Sequence, residues 1–316
     1  MGPDRRTFFA YLAKIGALSG LAAMFPSDAF GKIESSLAEE LPGGGMQIQG
    51  ADGIVRTHFF HANAAMLQSN GERSLAGQLP NKASIKLPEE GGFRSQFIEN
   101  YRSNNGVSFK SAYVHVAGTR SSKPGYGWVT LATSILTGLN VRDLVTADLV
   151  MAQVSTEDPL VDHVPAVSFQ GSRIENLRIC GRTVDPVFDL DICGPRPNGE
   201  TPYVREQAFL DRVASQYQRI LNTPGLPDSA QQQYHWDPAT VEQTGTVKCS
   251  LVTGIERSTP GTSFGHIIQV PGLGEVALAE LIVDNAFHLT PVNVTLPPSD
   301  KWQLGGSTGT NGHHQP

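Results

Sequence analysis

From Met46 onward the chain sets short apolar runs between turn residues, the rhythm of strands rather than helices. Met46-Gln47-Ile48-Gln49 and Ile54-Val55-Arg56-Thr57-His58-Phe59 flank Ala51-Asp52-Gly53 and predict a hairpin. Residues 69–92 are rich in Gly, Pro, Asn and charge; they predict a long loop around one strand at 83–87, a place for binding function. Further strands are predicted over 107–117, 127–136, 144–155, 166–169, 174–179 and 184–192. Val114-His115-Val116 and the run from Leu149 to Val154 are apolar and β-branched, as strands covered on both faces are. After 247–255, the runs 266–270, 275–283 and 287–295 are joined by Pro271-Gly272-Leu273-Gly274 and by Asp284-Asn285, giving a three-stranded meander.

One segment has a different period. Over 203–221, Val204, Ala208, Leu210, Val213, Tyr217, Ile220 and Leu221 recur every three or four positions, and Asn222-Thr223-Pro224-Gly225 ends the run. The fold class is therefore mainly β: an antiparallel β-sandwich or barrel-like fold with one inserted amphipathic helix (about 203–221). The predicted organisation is a leader over 1–29, a spacer over 30–45 with a short helical piece at 35–41, and a single β-rich domain over 46–296. A Gly/Ser/Thr/Asn-rich tail over 297–316 has too little apolar surface to order itself.

The front of the chain bears on compartment. Asp4-Arg5-Arg6-Thr7-Phe8-Phe9 precedes an apolar stretch over 10–25, and Ser27-Asp28-Ala29 supplies the small residues of a cleavage site after Ala29. The stretch is shorter and richer in Gly and Ala than the about 20 apolar residues a membrane span needs. Arg5, Arg6 and Phe8 resemble the twin-arginine secretion signal, with Asp4, Phe9 and Ala10 departing from its usual pattern. The resemblance covers the first 29 residues. It implies a prokaryotic protein, handled transiently by the twin-arginine export machinery and delivered folded to the periplasm or the cell exterior, with no stable membrane anchor.

Composition narrows the classes. The 316 residues hold 24 Lys+Arg against 30 Asp+Glu, a net charge of −6, which leaves nucleic-acid binding without electrostatic support. Removing 1–29 takes Arg5, Arg6, Lys14, Asp4 and Asp28 and moves the net charge to −7. Three cysteines cannot be a framework of staples. If Ile179 faces Val184 in a hairpin, register sets Cys193 against Gln170. A Cys180–Cys193 bridge then needs Pro186 to redirect the chain, while Cys249 reads as a buried thiol.

Candidate chemistry is sparse. Gly261-Thr262-Ser263-Phe264-Gly265 has the spacing of a nucleophile elbow, with Asp284 and His288 following in hydrolase order, but a strand rather than a helix is predicted next. His58 and His61 point to opposite faces of a strand unless the backbone bends; His115, His266 and His288 sit in separate predicted strands that converge only if the fold brings them together. Glu89-Glu90, Asp189 and Asp191, and Glu275 and Glu280 read as solvated strand edges. Gly125-Tyr126-Gly127 lacks the third glycine of a dinucleotide fingerprint and reads as a turn. Trp128, Trp236 and Trp302, with Tyr126 and Tyr234, are candidates to stack on sugar rings, with a core role expected of Trp128. No catalytic, cofactor-binding or metal residue is assigned. The expectation is an exported, soluble β-rich binding or surface-associated structural protein with a glycan or cell-envelope ligand. The alternative is an exported enzyme, a metal-dependent oxidoreductase or a carbohydrate-active hydrolase.

Overall fold

The computed structural model describes residues 45–49, 53–69, 84–103, 106–161, 164–226, 231, 234–256, 260–270, 272, 274–296 and 300–310. The leader, its cleavage site and the spacer lie outside them, as does the short helix expected at 35–41. In chain order come β1 (Met46–Gln49), β2 (Val55–His58), β3 (Ala62–Ser69), β4 (Ser84–Lys86), β5 (Gly92–Arg102) and β6 (Val107–Arg120). Next are β7 (Tyr126–Val141), β8 (Val145–Pro159), β9 (Ala166–Ser168), β10 (Arg173–Glu175), β11 (Arg178–Ile179), β12 (Arg182–Thr183) and β13 (Pro186–Phe188). Two helices follow, α1 (Gln207–Leu221), entered through a 3₁₀ turn at Tyr203–Arg205, and α2 (Pro238–Thr244). The chain continues with β14 (Val247–Ser250), β15 (Val252–Ile255), β16 (Thr262–Phe264), β17 (Ile267–Val270), β18 (Gly274–Val283), β19 (Ala286–Leu296) and β20 (Asp300–Thr310).

Two antiparallel sheets carry the fold and close into no barrel. The first has the order β12-β11-β8-β7-β6-β5, with β9 and β10 also pairing to β8; the second runs β16-β17-β18-β19-β20-β3-β4, with β14 on β18. β3, β19 and β20 lie across β6, β7 and β8. Val114, Val116, Ala132, Leu136, Val150, Ala152 and Val154 point inward from the first sheet and share one core with Ala62, Ala64, Val292 and Leu304 of the second. The mainly β sandwich expected from the pattern is the fold observed.

The sheets approach closely where their facing residues are small. Ser134 Oγ on β7 donates to the Ala65 carbonyl on β3 at 2.8 Å, and Ser307 Oγ on β20 donates to the Ala152 carbonyl on β8 at 2.9 Å. A Cβ on Gly309 would stand 3.0 Å from Val154 Cγ1. A serine reaches the opposite backbone only when the sheets come nearer than the usual spacing of about 10 Å.

That approach overturns the expected disordered tail, because β20 lies between β19 and β3 inside the second sheet. Its glycines and serines are what the tight gap admits, so a composition that argues against a core here serves one. Three further expectations change. β3 and β5 occupy 62–69 and 92–102, where no strand is predicted: Ala62-Asn63-Ala64-Ala65 lacks β-branched residues, and β5 is an edge strand carrying Arg94, Glu99 and Arg102. The strand expected over 174–179 is split into β10 and β11 at Asn176, whose φ is +52°. The loop after α1 contains α2, whose entry Asp237 caps by accepting from Ala239 N at 3.0 Å, with Pro238 in the first turn.

Candidate functional site

Helix α1 lies on the outer side of the second sheet, held there by buried polar contacts as well as by its apolar stripe. Gln216 Nε2 donates to the Ser250 carbonyl at 2.9 Å while its Oε1 accepts from Ser250 N at 2.9 Å. One turn earlier, Arg212 donates to the carbonyls of Ile192 and Cys193, each at 2.7 Å. At the helix end Ile220 packs so closely on Gly265 (φ +59°) that an added Cβ would come within 2.8 Å of its Cγ1. A small apolar cluster forms beneath: Ile220, Leu226, Tyr234, Phe264, Ile267 and Ala277.

Around this cluster three aromatic rings gather. Tyr217 of α1 stands 6.3 Å from Tyr234 and 5.5 Å from Trp236, centroid to centroid, with the ring planes inclined by 58° in both pairs. Tyr234 is buried; Tyr217 and Trp236 are half-buried and lie at the edge of the cluster. Tyr217 OH donates to the Lys248 carbonyl at 3.1 Å, which fixes its ring. The cap at Asp237 fixes the chain just after Trp236, and the hydrogen bond from Thr240 together with the cap holds the Asp237 carboxyl below its ordinary range.

Polar groups from the β16–β17 turn, β18 and β19 lie against the cluster. Cross-strand register places Asn293, Ala277 and Ile267 side by side on this face. Asn293 Nδ2 donates to Glu280 Oε2 at 2.6 Å, whereas its buried Oδ1 has no hydrogen bond among the described residues. His266 meets Tyr234 edge to face at 6.2 Å; its buried Nδ1 likewise has no hydrogen bond among the described residues. Burial lowers the His266 pKa to about 4, so the ring is neutral near pH 7. Burial raises the Tyr234 hydroxyl, with the charges of Glu275 and Glu280 adding to it, and raises Tyr217 to about 12 by burial first, then by Cys249 and Glu280. Glu275 and Glu280, expected as solvated edges, thus lie near enough for their charge to act on the Tyr234 hydroxyl.

Of the five sugar-stacking candidates, Tyr234 and Trp236 are brought together, and Tyr217 joins them from the helix. The side chain of Trp302 lies outside the described residues. Trp128 belongs to the core: its ring stacks on buried His58 at 4.7 Å, and Phe60 meets the same imidazole edge-on at 4.6 Å. Asp158 Oδ2 is 4.0 Å from His58 Nε2, and burial pushes the Asp158 carboxyl well above the carboxylate range.

The histidines considered for a metal do not converge. His115 lies on β6 beside Tyr113, its Nδ1 3.3 Å from the tyrosine hydroxyl, in the first sheet. His288, on the second, contacts Asp284 at 3.4 Å and Thr308 Oγ1 at 3.2 Å. Among the described residues no group of three or more His, Cys, Asp or Glu is placed to hold a metal ion. Ser263 lies in the β16–β17 hairpin, opposite Ile268, so the elbow spacing sits in strand–turn–strand context. Register through β17 and β18 sets it in line with Val294, three strands away, and Val294 is six residues from His288. By ordinary sheet spacings the two are roughly 25 Å apart, which rules out a shared triad.

Cys180, Cys193 and Cys249 are free thiols. Ile179 pairs with Arg182, not Val184, so Cys180 and Gly181 (φ +48° and +76°) are themselves the two-residue turn. Pro186 then leads into β13, which pairs with β15 away from that turn.

The pattern offered a partial signal for the residues missed. Tyr217 reads as one more apolar helix position, and only its place at the stripe's edge separates it from Val213 and Ile220. Asn293 between Val292 and Val294 is a polar residue in an apolar run, which a buried hydrogen-bonding role explains.

Residues 58–284 match the model of the family described as Domain of unknown function (DUF8256), and the chain belongs to that family. The matched region contains every site residue named above except Asn293. No curated protein and no solved structure matches the chain.

Proposed function

We propose that this chain is an exported, soluble binding protein of the prokaryotic cell envelope, and that the site beneath α1 takes an envelope glycan. The observation that carries the reading is the grouping of Tyr234 and Trp236 about Tyr217, with Tyr234 packed on the sheet face that also bears Asn293 and with the charge of Glu280 acting on both tyrosine hydroxyls. Inclined aromatic faces stack on the apolar faces of sugar rings, while a carboxylate and an amide meet the hydroxyls at their edges. Export rests on the twin-arginine-like leader. No helix among the described residues is long and apolar enough to cross a membrane.

Retention on immobilised envelope polysaccharide tests the ligand. The wild-type protein is retained, and Trp236→Ala, which removes one of the two half-buried rings, elutes early with an unchanged thermal melt. Equal retention of both proteins overturns the reading. Native mass spectrometry of protein exported with its own leader tests the route: a mature mass beginning at Phe30 is expected, and is lost when Arg5 and Arg6 are both replaced by Lys.

A second reading, a carbohydrate-active hydrolase, draws on the two carboxylates Glu275 and Glu280, whose charge reaches the Tyr234 hydroxyl. It requires release of reducing ends from the retained polysaccharide and loss of that release in Glu280→Gln. Retention without turnover leaves the binding reading in place.

A further inference from the structure

We propose that the apolar stretch over residues 10–25 lies across the outer face of the first sheet and covers it, and that removal of the leader bares this face on the exported chain. The docking is independent of the site beneath α1; the baring rests on the reading of residues 1–29 as a cleaved leader.

The inner face of the first sheet belongs to the sandwich core, yet its outer face is buried as deeply. Alternation along the strands turns Leu131, Thr133 and Ile135 of β7 outward, with Gln153 and Met151 of β8 beside Thr133 and Ile135. All five are at most 2% exposed. Leu131 clusters with Ala117 and Val129 apart from the core. The elements that lie against β7 are β6 and β8 within its own sheet and β3 and β20 on the inner side. Over β8, Gln153 Nε2 donates to the Gln170 carbonyl at 2.6 Å and Arg173 Nη1 donates to Met151 Sδ at 3.5 Å, but β7 is one strand further in. A mid-sheet side chain with only its own sheet around it keeps part of its surface in water. The cover of β7 therefore comes from outside the described residues.

That cover is apolar. Thr133 Oγ1 and Gln153 Oε1 are buried on this face without a hydrogen bond, and burial lowers His115, opposite Thr133 on β6, to about 4. An irregular polar loop laid here brings backbone N–H groups that satisfy such oxygens, whereas a helix satisfies its own backbone and leaves them bare. Outside the described residues, the stretches longer than five residues are 1–44, 70–83 and 311–316. Residues 70–83 carry Glu72, Arg73 and Lys82 with Pro80, and 311–316 consist of Asn, Gly, His, Gln and Pro. Residues 10–25 hold a single charge, Lys14, in an otherwise mostly apolar run. Coiled as a helix, they span about 24 Å, against about 20 Å from Val129 to Ile135 along β7. The chain enters the described residues at Gly45, close to Ile48, whose Cδ1 a Cβ on Gly127 would meet at 3.8 Å at the start of β7. Residues 26–44 are long enough to run from there over the outer face.

Photo-crosslinking of the uncleaved full chain tests the docking. With p-benzoylphenylalanine in place of Leu18, irradiation is expected to crosslink residues of β7 or β8 in the same chain. Crosslinks only to other elements, or none, overturn the inference; crosslinks only between chains, fading on dilution, overturn it in favour of a second copy as the cover. Maleimide reaction of Thr133→Cys, in a Cys180→Ser background, reads the face itself. The full chain is expected to react at least about tenfold more slowly than one that also carries Leu12→Asp, Leu18→Asp and Leu21→Asp, and equal rates overturn the inference. Circular dichroism matching the parent guards the aspartate variant, and Ile135→Cys repeats the reading if Thr133→Cys disturbs the fold. Protein recovered after export and beginning at Phe30 is expected to react as fast as the aspartate variant; a rate as slow as the full chain's overturns the baring. Export without cutting at Ala29 overturns the leader reading and the baring with it, while the crosslink still decides the docking.

Discussion

Asp158 is the residue whose ionisation works against the fold. It lies on β8 opposite Trp128, buried, and His58 at 4.0 Å does not offset the loss of water around the carboxylate. The folded state therefore keeps a proton that the unfolded chain releases once pH passes the ordinary aspartate value of about 4. Between that value and the raised native pKa the native state binds more protons, so stability falls as pH rises through the window. Asp158→Asn removes the slope. Urea midpoints are expected to be higher for the variant than for the parent at pH 7 and to converge with it below pH about 4. A variant less stable at pH 7 would mean that the carboxylate is ionised and satisfied in the native state.

Among the elements, α1 bears the site, and its anchoring decides whether Tyr217 stands against Tyr234 and Trp236. Gln216→Ala leaves the amide and carbonyl of Ser250 buried without their partner and is expected to cost about 2–4 kcal/mol in urea unfolding. It should also weaken ligand retention, since Tyr217 is the next residue along. The helix was legible because seven apolar positions kept its period, and the meander of β17, β18 and β19 because turn residues separated its runs. β3, β5 and β20 were not legible. An alanine-rich strand, a charged edge strand and a glycine-serine strand owe their structure to neighbours far along the chain, which local pattern does not register. The site was half legible for the same reason. Trp236 and Tyr234 stood out as residue types and Glu280 read as a solvated strand edge, whereas their meeting depends on the loop before α2 folding back over β18.

At the scale of the whole molecule the second sheet is sewn together from both ends of the described chain. Ending the chain at Leu296 removes β20 and uncovers the long edges of β3 and β19. Such a truncation is expected to give an insoluble or protease-sensitive product, in contrast to one that ends after Thr310. Limited proteolysis and circular dichroism of the two distinguish them, and a soluble, β-rich product ending at Leu296 would show β20 to be dispensable. The family match stops at Asp284, ahead of β19 and β20, although the sheet that bears the site runs through both.

The pairing of Ala62 with Gly309 also sets a clock. A contact between residues 62 and 309 cannot form before residue 309 has left the ribosome, and such long-range pairing is slow once the segment is free. The nascent protein must spend its synthesis without its central strand, its serines and glycines waiting in solvent for a gap that does not yet exist. Completion of the second sheet then waits until residues 300–310 have been made and released. β20 thus acts as a check on the chain itself: a molecule cut short before residue 300 has no strand to set between β19 and β3.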